Sequence, residues 1–478
     1  MILPLFLASH LFANPTLISN EPQTIPFSKS QVTADPPFAP LTKGSWGDRY
    51  VANINQNSIN SQQRVQPLPN SLNQVPVFNS NSPELVQGEG ILLSTFPEDG
   101  KTSPQAHLNF PFNGRFDLFA HHVAKPPNED DLSTLYLGIL LHNPTNETVT
   151  VDILSGASYL SQPDAPFIEL PSTTENPEGE VYSGPGSRVM DDILREKRHW
   201  QFPSQVEIPP ESNHLLLNAP IPVRPFDPPL NGRSTYLQLE SDGEVYAASL
   251  AQYAPRTDTG RERPPTLSEW ETLLTEGELS TPRDTAPTPS DNTENIIYGR
   301  VAGVSQGSKW EATVDVDLDT VEEAVSYGIS TLVGGRLGTD QVQSAPMLAR
   351  YPDTAYAAHG NYGVEYDLSF NLNNTTTQPR EVSLALETPV KADDLSNRLK
   401  FLDSPSSQVF FRGTIQLTYR DEQGSEQTEY FHLAQHHGER GEPLLNLTIP
   451  SQASRTVEVN LVYPPDATPP QVLTIENQ

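Results

Sequence analysis

Histidine is the residue type in this chain that could most readily do chemistry. The chain has 11 histidines, and two adjacent pairs, His121–His122 and His436–His437, lie at the ends of apolar runs. Zinc requires three or four converging nitrogen, oxygen or sulfur ligands. Neighbouring residues on a strand point to opposite faces, so such a pair seldom gives both rings to one metal. We therefore expect hydrogen-bonded structural histidines. The weak metal-ligand candidates are His121, His359, His436 and Glu439.

Three carboxylates occupy alternate positions of a single segment, at Asp315, Asp317 and Asp319. On a strand, these side chains would all project from one face. A calcium-binding EF-hand loop needs glycine at its sixth position and glutamate at its twelfth, and this segment has neither. We expect a solvated acidic face, with a loose surface calcium site as the alternative.

One serine motif raises the question of an enzyme. Residues 303–307 read GVSQG, which matches the G-x-S-x-G pattern of serine hydrolases. That pattern works at a strand-to-helix turn, whereas the following SKWEATVDVDL alternates like a strand and favours a glycine-flanked turn. The chain has no cysteine, which excludes a cysteine nucleophile, a thiolate zinc site and an iron–sulfur cluster. The sequence predicts no enzyme and no cofactor.

Proline content restricts the fold that must position these residues. The chain has 47 prolines in 478 residues, against a usual share of about 5%. Proline removes a backbone donor and interrupts helices, so it favours loops, strand edges and turns. Short apolar runs bounded by turn residues recur from residue 90 onwards, as in TVTVDIL. The sequence predicts a mainly β protein with two tandem β-sandwich (immunoglobulin-like) domains, few short helices and long proline-rich loops.

Composition shifts divide the chain into five segments. The first is an apolar run with the length of a signal-peptide core, although no Lys or Arg precedes Lys29, which suggests a truncated leader. A stretch rich in Pro, Asn, Gln and Ser follows it. The segments are a signal peptide at 1–13, a linker or extended arm at 14–85, a first β-sandwich at 86–258, a short helix and proline-rich linker at 259–294, and a second β-sandwich at 295–478.

Two short helices are predicted within this pattern. One covers Ser187–Lys197, with Ser187 as its capping residue. The other follows Thr266, because Thr266 and Glu269 have the spacing of a capping box and Gly277 can end the helix. Strands and loops are predicted for the remainder of both sandwiches.

The two halves of the chain contain four similar blocks in the same order. YLGILLHN at Tyr136–Asn143 has the spacing of YDLSFNLN at Tyr366–Asn373, and an Ile-Pro pair precedes a later strand in each half, at Ile208 and Ile449. In this alignment His359 takes the place of one of the paired histidines of the first half. The pattern predicts an internal duplication; the alternative is the strand–turn texture that all β-sandwiches share.

The charge balance restricts the partners. Lys and Arg number 29 against 60 Asp and Glu, a net charge of -31, so nucleic acid and anionic membrane surfaces would be repelled. The apolar N-terminal run is shorter than the roughly 20 residues that a bilayer requires. We therefore expect export to the periplasm, the cell surface or the medium, without a transmembrane span, and an envelope protein or a glycan as partner.

Several long strings make the chain resemble a known family. They are PVFNSNSPELVQGEGILLSTFP, TLYLGILLHNPTNETVTVDIL, SYLSQPDAPFIELP, YSGPGSRVM and PLNGRSTYLQL. They are similar to an uncharacterised family of exported cyanobacterial proteins, known as a domain of unknown function, over most of residues 70–460. The resemblance implies a secreted or envelope location and carries over no catalytic or binding residue.

Three functional hypotheses follow. The leading one is an exported, non-enzymatic structural or interaction protein of the cell envelope. The second is a carbohydrate- or calcium-binding surface module that uses exposed aromatics such as Tyr351, Tyr356 and Tyr362. The third is a hydrolase with an unfamiliar site, which would require converging carboxylates or histidines in a cleft.

Overall fold

A computed structural model describes residues 58–128, 130–289, 296–321, 323–393 and 398–477. The predicted signal peptide at 1–13, residues 14–57 of the predicted arm and residues 290–294 of the predicted linker lie outside these ranges. The helices are α1 (Pro185–Leu194) and α2 (Leu267–Glu276), and a 3₁₀ turn covers Pro104–Ala106.

The strands of the first half of the chain are β1 (Ser58–Ser61), β2 (Arg64–Gln66), β3 (Pro76–Ser80), β4 (Leu85–Val86), β5 (Gly90–Ser94), β6 (Phe112–Ala124), β7 (Leu135–Asn143), β8 (Val149–Leu160), β9 (Thr173–Glu175), β10 (Gln205–Ile208), β11 (Ser212–Ile221) and β12 (Asn231–Tyr253). The strands of the second half are β13 (Ala302–Gln306), β14 (Lys309–Asp317), β15 (Ala324–Ile329), β16 (Ala345–Arg350), β17 (Ala357–Ala358), β18 (Glu365–Asn374), β19 (Arg380–Glu387), β20 (Leu399–Leu402), β21 (Val409–Arg420), β22 (Glu426–His436), β23 (Leu445–Ile449), β24 (Ala453–Val462) and β25 (Gln471–Asn477).

The first hydrophobic core lies between two sheets. One sheet has the strand order β10-β8-β12-β6-β3 and continues through β13, β16 and β17. In the other, β12 lies between β5 and β7, and β11 pairs with the far side of β7. Apolar residues alternate along the strands, so those of each sheet face the other sheet. The buried residues include Phe78, Phe112, Phe116, Ile139 and Leu237.

Strand β12 belongs to both sheets of this sandwich. Its first part pairs with β6 and β8, and its last part, from Tyr246 to Tyr253, pairs with β7. The register against β6 shifts between Ser241 and Val245, where the sequence ESDGEV contributes an aspartate and a glycine that interrupt a regular strand. A strand that changes sheet at such an irregularity forms a corner of the sandwich.

The second hydrophobic core lies between a six-stranded sheet, β14-β18-β24-β21-β22-β9, and a five-stranded sheet, β2-β15-β25-β19-β23. Buried and exposed positions alternate along the whole of β14. Trp310, Phe370, Phe411 and Leu461 are buried between the sheets. The fold is mainly β, as predicted; the finer description as immunoglobulin-like stays a prediction.

The two sandwiches share one strand order. Strands β10-β8-β12-β6-β3 of the first correspond to β23-β19-β25-β15-β2 of the second. The last pair is parallel in both, β3 with β6 and β2 with β15. Antiparallel pairing of β11 with β7 and of β24 with β18 completes the correspondence. The predicted internal repeat is confirmed, and it includes two strands of the predicted arm.

A buried asparagine stabilises a corner of the first sandwich. Nδ2 of Asn143, at the end of β7, lies 2.7 Å from the carbonyl oxygen of Glu147, 2.8 Å from that of Ile208 and 3.1 Å from that of Pro209. Its Oδ1 accepts from the backbone amide and the hydroxyl of Thr145, both at 2.8 Å. One side chain therefore joins the β7–β8 turn to the Ile-Pro segment that follows β10.

Asn374 makes the same contacts in the second sandwich. Its Nδ2 lies 2.8, 2.9 and 3.1 Å from the carbonyl oxygens of Gln378, Ile449 and Pro450. The predicted alignment, which matched the first block to one ending at Asn373, is therefore wrong by one residue. Polar residues are adjacent at this point, as at Asn373 and Asn374, so spacing alone does not identify the equivalent of Asn143. Burial identifies it as Asn374.

Strands also cross between the sandwiches. Strand β9, from the first half of the chain, pairs with β22 of the second sandwich. Strand β13, from the second half, pairs with β3 in the first sandwich, and β16 pairs with β13. The described part of the predicted arm, 58–85, supplies β2 to one sandwich and β3 to the other. Backbone pairing thus crosses the predicted domain boundaries at 86, 258 and 295.

The helices follow different local rules. Helix α2 is confirmed with its capping box, because Thr266 and Glu269 bond each other's backbone amides at 3.3 and 2.8 Å. Helix α1 begins at Pro185, so the prediction that Ser187 caps it is wrong. Proline is preferred at a first helical position because a backbone N–H there would have no acceptor within the helix. Among the described helices, neither length nor hydropathy is sufficient for a membrane crossing.

We expect Asn143→Asp and Asn374→Asp to lower the unfolding midpoint strongly, while Asn373→Asp changes it little. Each of the first two isosteric changes removes the amide donor from three carbonyl groups, at a cost of about 2–3 kcal/mol. Differential scanning calorimetry of the full chain measures the effect. Equal midpoints for all three variants would contradict the role given to these two asparagines.

Candidate functional site

The junction of the two sandwiches brings together partly buried charged side chains from distant segments of the chain. Helix α1 lies there, in contact with β8 and β12 on one side and β21 and β24 on the other. The Asp466 carboxylate, from the second sandwich, accepts a 2.8 Å hydrogen bond from the Ser187 amide in the first turn of α1. Burial raises the pKa of Asp466 to about 6, although the helix N-terminus favours the charged form.

A second part of the junction joins the arm to both halves of the chain. The Arg300 guanidinium donates to Oε2 of Glu84, and Oε1 of Glu84 lies 3.8 Å from Nε2 of His121. Oδ2 of Asp284 accepts from the Glu84 amide at 3.1 Å and from the Ser82 hydroxyl at 2.8 Å. Burial raises the pKa of Asp284. These residues come from four separate segments, so the charges connect segments that lie far apart in sequence.

Tyr236 connects the sandwiches at a third point. Its hydroxyl oxygen lies 2.8 Å from Oδ2 of Asp117 and 2.8 Å from the carbonyl oxygen of Gly363. Burial raises the pKa of Asp117. The Tyr236 hydroxyl is directed at both acceptors, and the Arg115 guanidinium donates to Oδ1 of the same carboxyl. Gly363 has a φ of +87°, and a Cβ there would lie 2.1 Å from the tyrosine ring, so this close approach requires glycine.

The paired histidines of β6 point to opposite faces, as predicted. Nδ1 of His121 lies 2.7 Å from the Ser234 hydroxyl. His122 lies between the Pro83 carbonyl oxygen, 2.8 Å from Nδ1, and the Ser80 hydroxyl, 2.9 Å from Nε2. A carbonyl only accepts, so Nδ1 carries the proton and Nε2 accepts from Ser80. Burial lowers the pKa of His121 to about 4 and that of His122 to about 3, so both rings are neutral.

Ser80 and His122 have the partner order of a nucleophile and its general base, with a carbonyl that orients the ring. Both side chains are fully buried, and Ser234 beside His121 is buried as well. A general base must lie within hydrogen-bond reach of a bound substrate, and no substrate atom can approach these buried groups in this conformation. The Ser80–His122 hydrogen bond therefore stabilises the arm against β6, and the His121–Ser234 hydrogen bond joins β6 to β12.

The three aspartates lie where the sequence predicts. Asp315, Asp317 and Asp319 are exposed on the outer face of β14 and the turn after it. The Asn371 amide donates to Asp315 at 2.9 Å, and the Thr375 hydroxyl donates to Asp319. Across the described ranges, no three Asp, Glu, His or Cys residues converge closely enough to hold a metal ion.

The other metal-ligand candidates do not converge on one site. The prediction that His359 takes the place of the paired histidines is wrong: those lie on β6, whose equivalent is β15, whereas His359 follows β17 and packs against Tyr298 at 4.8 Å between ring centroids. His436 and Glu439 do meet on a turn, with Nδ1 3.1 Å from Oε2 and the His436 amide 2.6 Å from the same oxygen. That pair forms a turn contact.

The structure differs from two predictions made from the sequence, one for Ser305 and one for the surface tyrosines. Ser305 lies inside β13, which pairs with β3 and β16, so neither a catalytic elbow nor a turn forms at this serine. Tyr351 is buried, with its hydroxyl 2.7 Å from the Ala106 carbonyl oxygen, and the Tyr362 hydroxyl bonds the Ala467 carbonyl at 3.2 Å. Of the three predicted surface tyrosines, only Tyr356 is exposed.

Sequence reasoning missed the residues that form the junction. Glu84, Asp284, Arg300 and Asp466 are isolated charges in loops, and each has its partner far away in the chain. It also missed Trp200, whose side chain is strongly exposed. The run Arg195–Trp200, REKRHW, could have drawn attention to it, because basic residues are scarce in this chain.

The fold and the junction define a class: a mainly β protein of two repeated sandwiches joined by exchanged strands and by the partly buried Arg300–Glu84 ion pair. The family described as "Protein of unknown function (DUF3370)" matches residues 63–477. The chain belongs to this family.

Other comparisons add little. No curated protein matches the sequence significantly. Among solved structures, procruciferin, the 11S globulin from Brassica napus, is 9% identical, with 82% of this chain and 85% of that chain covered and a TM-score of 0.09. A likeness of that size carries no argument about fold or function.

We expect His432→Leu to become more stable relative to the natural chain as the pH falls. His432 is fully buried on β22, and neither ring nitrogen has a hydrogen-bond partner among the described residues. Burial lowers its pKa to about 4 from 6.5. As the pH falls, the unfolded chain therefore binds a proton at His432 before the folded chain does. The natural chain loses the corresponding part of its free energy of unfolding between pH 6.5 and pH 4.

The stability difference between variant and natural chain should increase by about 2 kcal/mol from pH 7.5 to pH 4.5. Urea unfolding at both pH values measures it, and every other titrating group cancels in the difference. Thr428→Leu, on the exposed part of the same strand, is the matched control and should show no such pH dependence. A parallel response of His432→Leu and the natural chain would disprove the assignment.

Proposed function

We propose that this protein is an exported, non-enzymatic structural or interaction protein of the cell envelope. The observation that carries the proposal is the exchange of strands in both directions between the sandwiches. Shared sheets and a common helix limit independent motion of the two units, because separation would break paired backbone groups and the partly buried Arg300–Glu84 ion pair. A stiff body of this kind is suited to holding partners at a set distance.

The buried polar groups support the non-enzymatic part of the proposal. Each serine–histidine pair is buried and bonded within the fold, and the junction carboxylates bond helix α1 or the arm. Asp466, whose pKa is raised to about 6 by burial, would be an attractive general acid in an open cleft. Its contact with the Ser187 amide instead supports a role in joining the sandwiches.

The envelope location is supported by sequence. The apolar N-terminal run and the resemblance to exported cyanobacterial proteins both favour export, and a cyanobacterial origin is part of the same proposal. The charge of -31 favours solubility and disfavours nucleic acid as a partner. An envelope protein or a glycan is the partner class that we propose.

Cell fractionation tests the location. We expect the chain in the periplasmic, surface or medium fraction, with an N-terminus downstream of residue 13, because the apolar run would be removed on export. Protein sequencing of the purified chain identifies the first residue, and a cytosolic enzyme serves as the marker for leakage. Recovery of the chain with an intact N-terminus beside that marker would reject export.

Distance measurement tests the stiff junction. The chain lacks cysteine, so Glu207→Cys on β10 and Thr313→Cys on β14 would place one spin label on each sandwich. We expect a single narrow distance distribution by pulsed electron paramagnetic resonance. The control pair Glu207→Cys and Glu244→Cys lies within the first sandwich and gives the width due to the labels alone. A distribution much broader than the control would contradict a stiff body.

A further inference from the structure

Trp200 is the most exposed large apolar side chain of the described residues, with 88% of its surface in contact with solvent. The other two described tryptophans, Trp270 and Trp310, are buried at 0% and 4% exposure. Indole has a large apolar surface and is normally buried at least in part. Its display on the surface therefore requires an explanation beyond folding.

The backbone beneath Trp200 is held in place. A turn is closed by the Phe202 amide, which donates to the His199 carbonyl at 2.9 Å, and the His199 amide donates to Gly156 on β8 at 2.7 Å. The Phe202 side chain fills the first core at 2% exposure. The indole is therefore presented from an ordered turn, which reduces the entropy lost when it binds a partner.

Two cations precede Trp200 in the turn. Lys197 and Arg198 are exposed; Arg198 makes one 3.1 Å hydrogen bond to the Ile153 carbonyl, and Lys197 lies 3.4 Å from Asp192. Arg195 turns inward to Asp191. In a chain with 60 acidic and 29 basic residues, this turn is a local exception to the negative surface.

The surroundings favour a sugar over a protein as the occupant. Stable protein interfaces bury about 800 Å² on each partner around an apolar centre. Along the edge of β8 beside this turn, Leu154 is exposed at 45%, but its strand neighbour Asp152 is exposed and charged. One exposed aromatic ring preceded in the same turn by two exposed cations offers the two kinds of contact that a pyranose ring carrying a carboxylate would use.

We propose that the turn at 197–202 binds an acidic sugar residue of a polysaccharide, with Trp200 stacked on the ring and Arg198 and Lys197 paired with its carboxylate. The negative charge of the rest of the chain limits the contact to a short acidic segment and makes it sensitive to salt. The inference rests on the proposed interaction role and names a partner class for it.

Titration with short galacturonate oligomers tests the proposal, and their methyl esters are the matched neutral probe. In a Trp46→Phe background the remaining tryptophans are Trp200 and the buried Trp270 and Trp310, so a shift of the emission on binding that Trp200→Phe abolishes reports on Trp200, and calorimetry should give the affinity. We expect Trp200→Ala to lower the affinity at least tenfold and Trp200→Phe to retain most of it. Arg198→Glu should lower the affinity for the acid but not for the ester.

Tyr356→Ala, which removes an exposed ring elsewhere on the surface, is the control and should bind normally. Unchanged melting of Trp200→Ala would confirm that the fold is intact. The proposal is overturned if galacturonate does not bind, if Trp200→Ala binds as well as the parent, or if acid and ester bind equally. Self-association that Trp200→Ala abolishes would instead assign the turn to a second copy and reject the sugar. None of these results bears on fractionation or on label distances, which test the interaction role separately.

Discussion

The structure depends on a single interaction: one edge strand of each sandwich, β3 in the first and β22 in the second, pairs with a strand from the other half of the chain. Strand β3 pairs with β6 on one side and with β13 on the other, so one short segment of the arm satisfies the backbone of both halves. Strand β9 covers β22 in return. An uncovered edge presents a row of unpaired N–H and C=O groups that invites association, and the exchange removes it within one chain.

The burial of charge at the junction follows from that exchange. Bringing the arm, the linker and α1 together partly buries Glu84, Asp284, Arg300 and Asp466, and removing charges from water costs free energy unless they are paired. Their pairing with one another, or with a helix amide, offsets part of that cost and makes the arrangement specific. The buried histidines differ from these charged groups. Burial keeps His121, His122 and His432 neutral, so they need no counter-charge at neutral pH.

This arrangement explains why features that suggest catalysis belong to the fold. Ser80 and His122 have correct donor and acceptor roles for activation of a hydroxyl group, yet their function is to attach the arm to β6. The exposed chemistry lies elsewhere, at Trp200 and its neighbouring cations on the turn after α1. Strand exchange between the sandwiches and an exposed aromatic ring on an ordered turn are the two features on which the proposed structural or interaction role rests.

Sequence by itself determined the elements whose causes are local. Alternating patterns in TVTVDIL and in β14 indicated strands because a period of two places apolar residues on one face. The capping box at Thr266 and Glu269 identified the start of α2 because its partners are three residues apart. The repeat was also visible, since corresponding strands keep similar spacing. These features depend on neighbours in the chain, so pattern reasoning reaches them.

Only the tertiary structure decided the features whose causes lie far apart in sequence. Asn374 rather than Asn373 holds the second corner because it alone faces the Ile-Pro carbonyls about 75 residues away. Tyr351 is buried because its hydroxyl meets Ala106, and Glu84 is a junction residue because Arg300 lies beside it. Neither the composition nor the hydrophobic period of the sequence shows which of these residues lie close together in space. The same limit applies to the paired histidines of β6: the sequence identified His121 and His122, and the fold showed that burial keeps them neutral and that serine and carbonyl partners bond them.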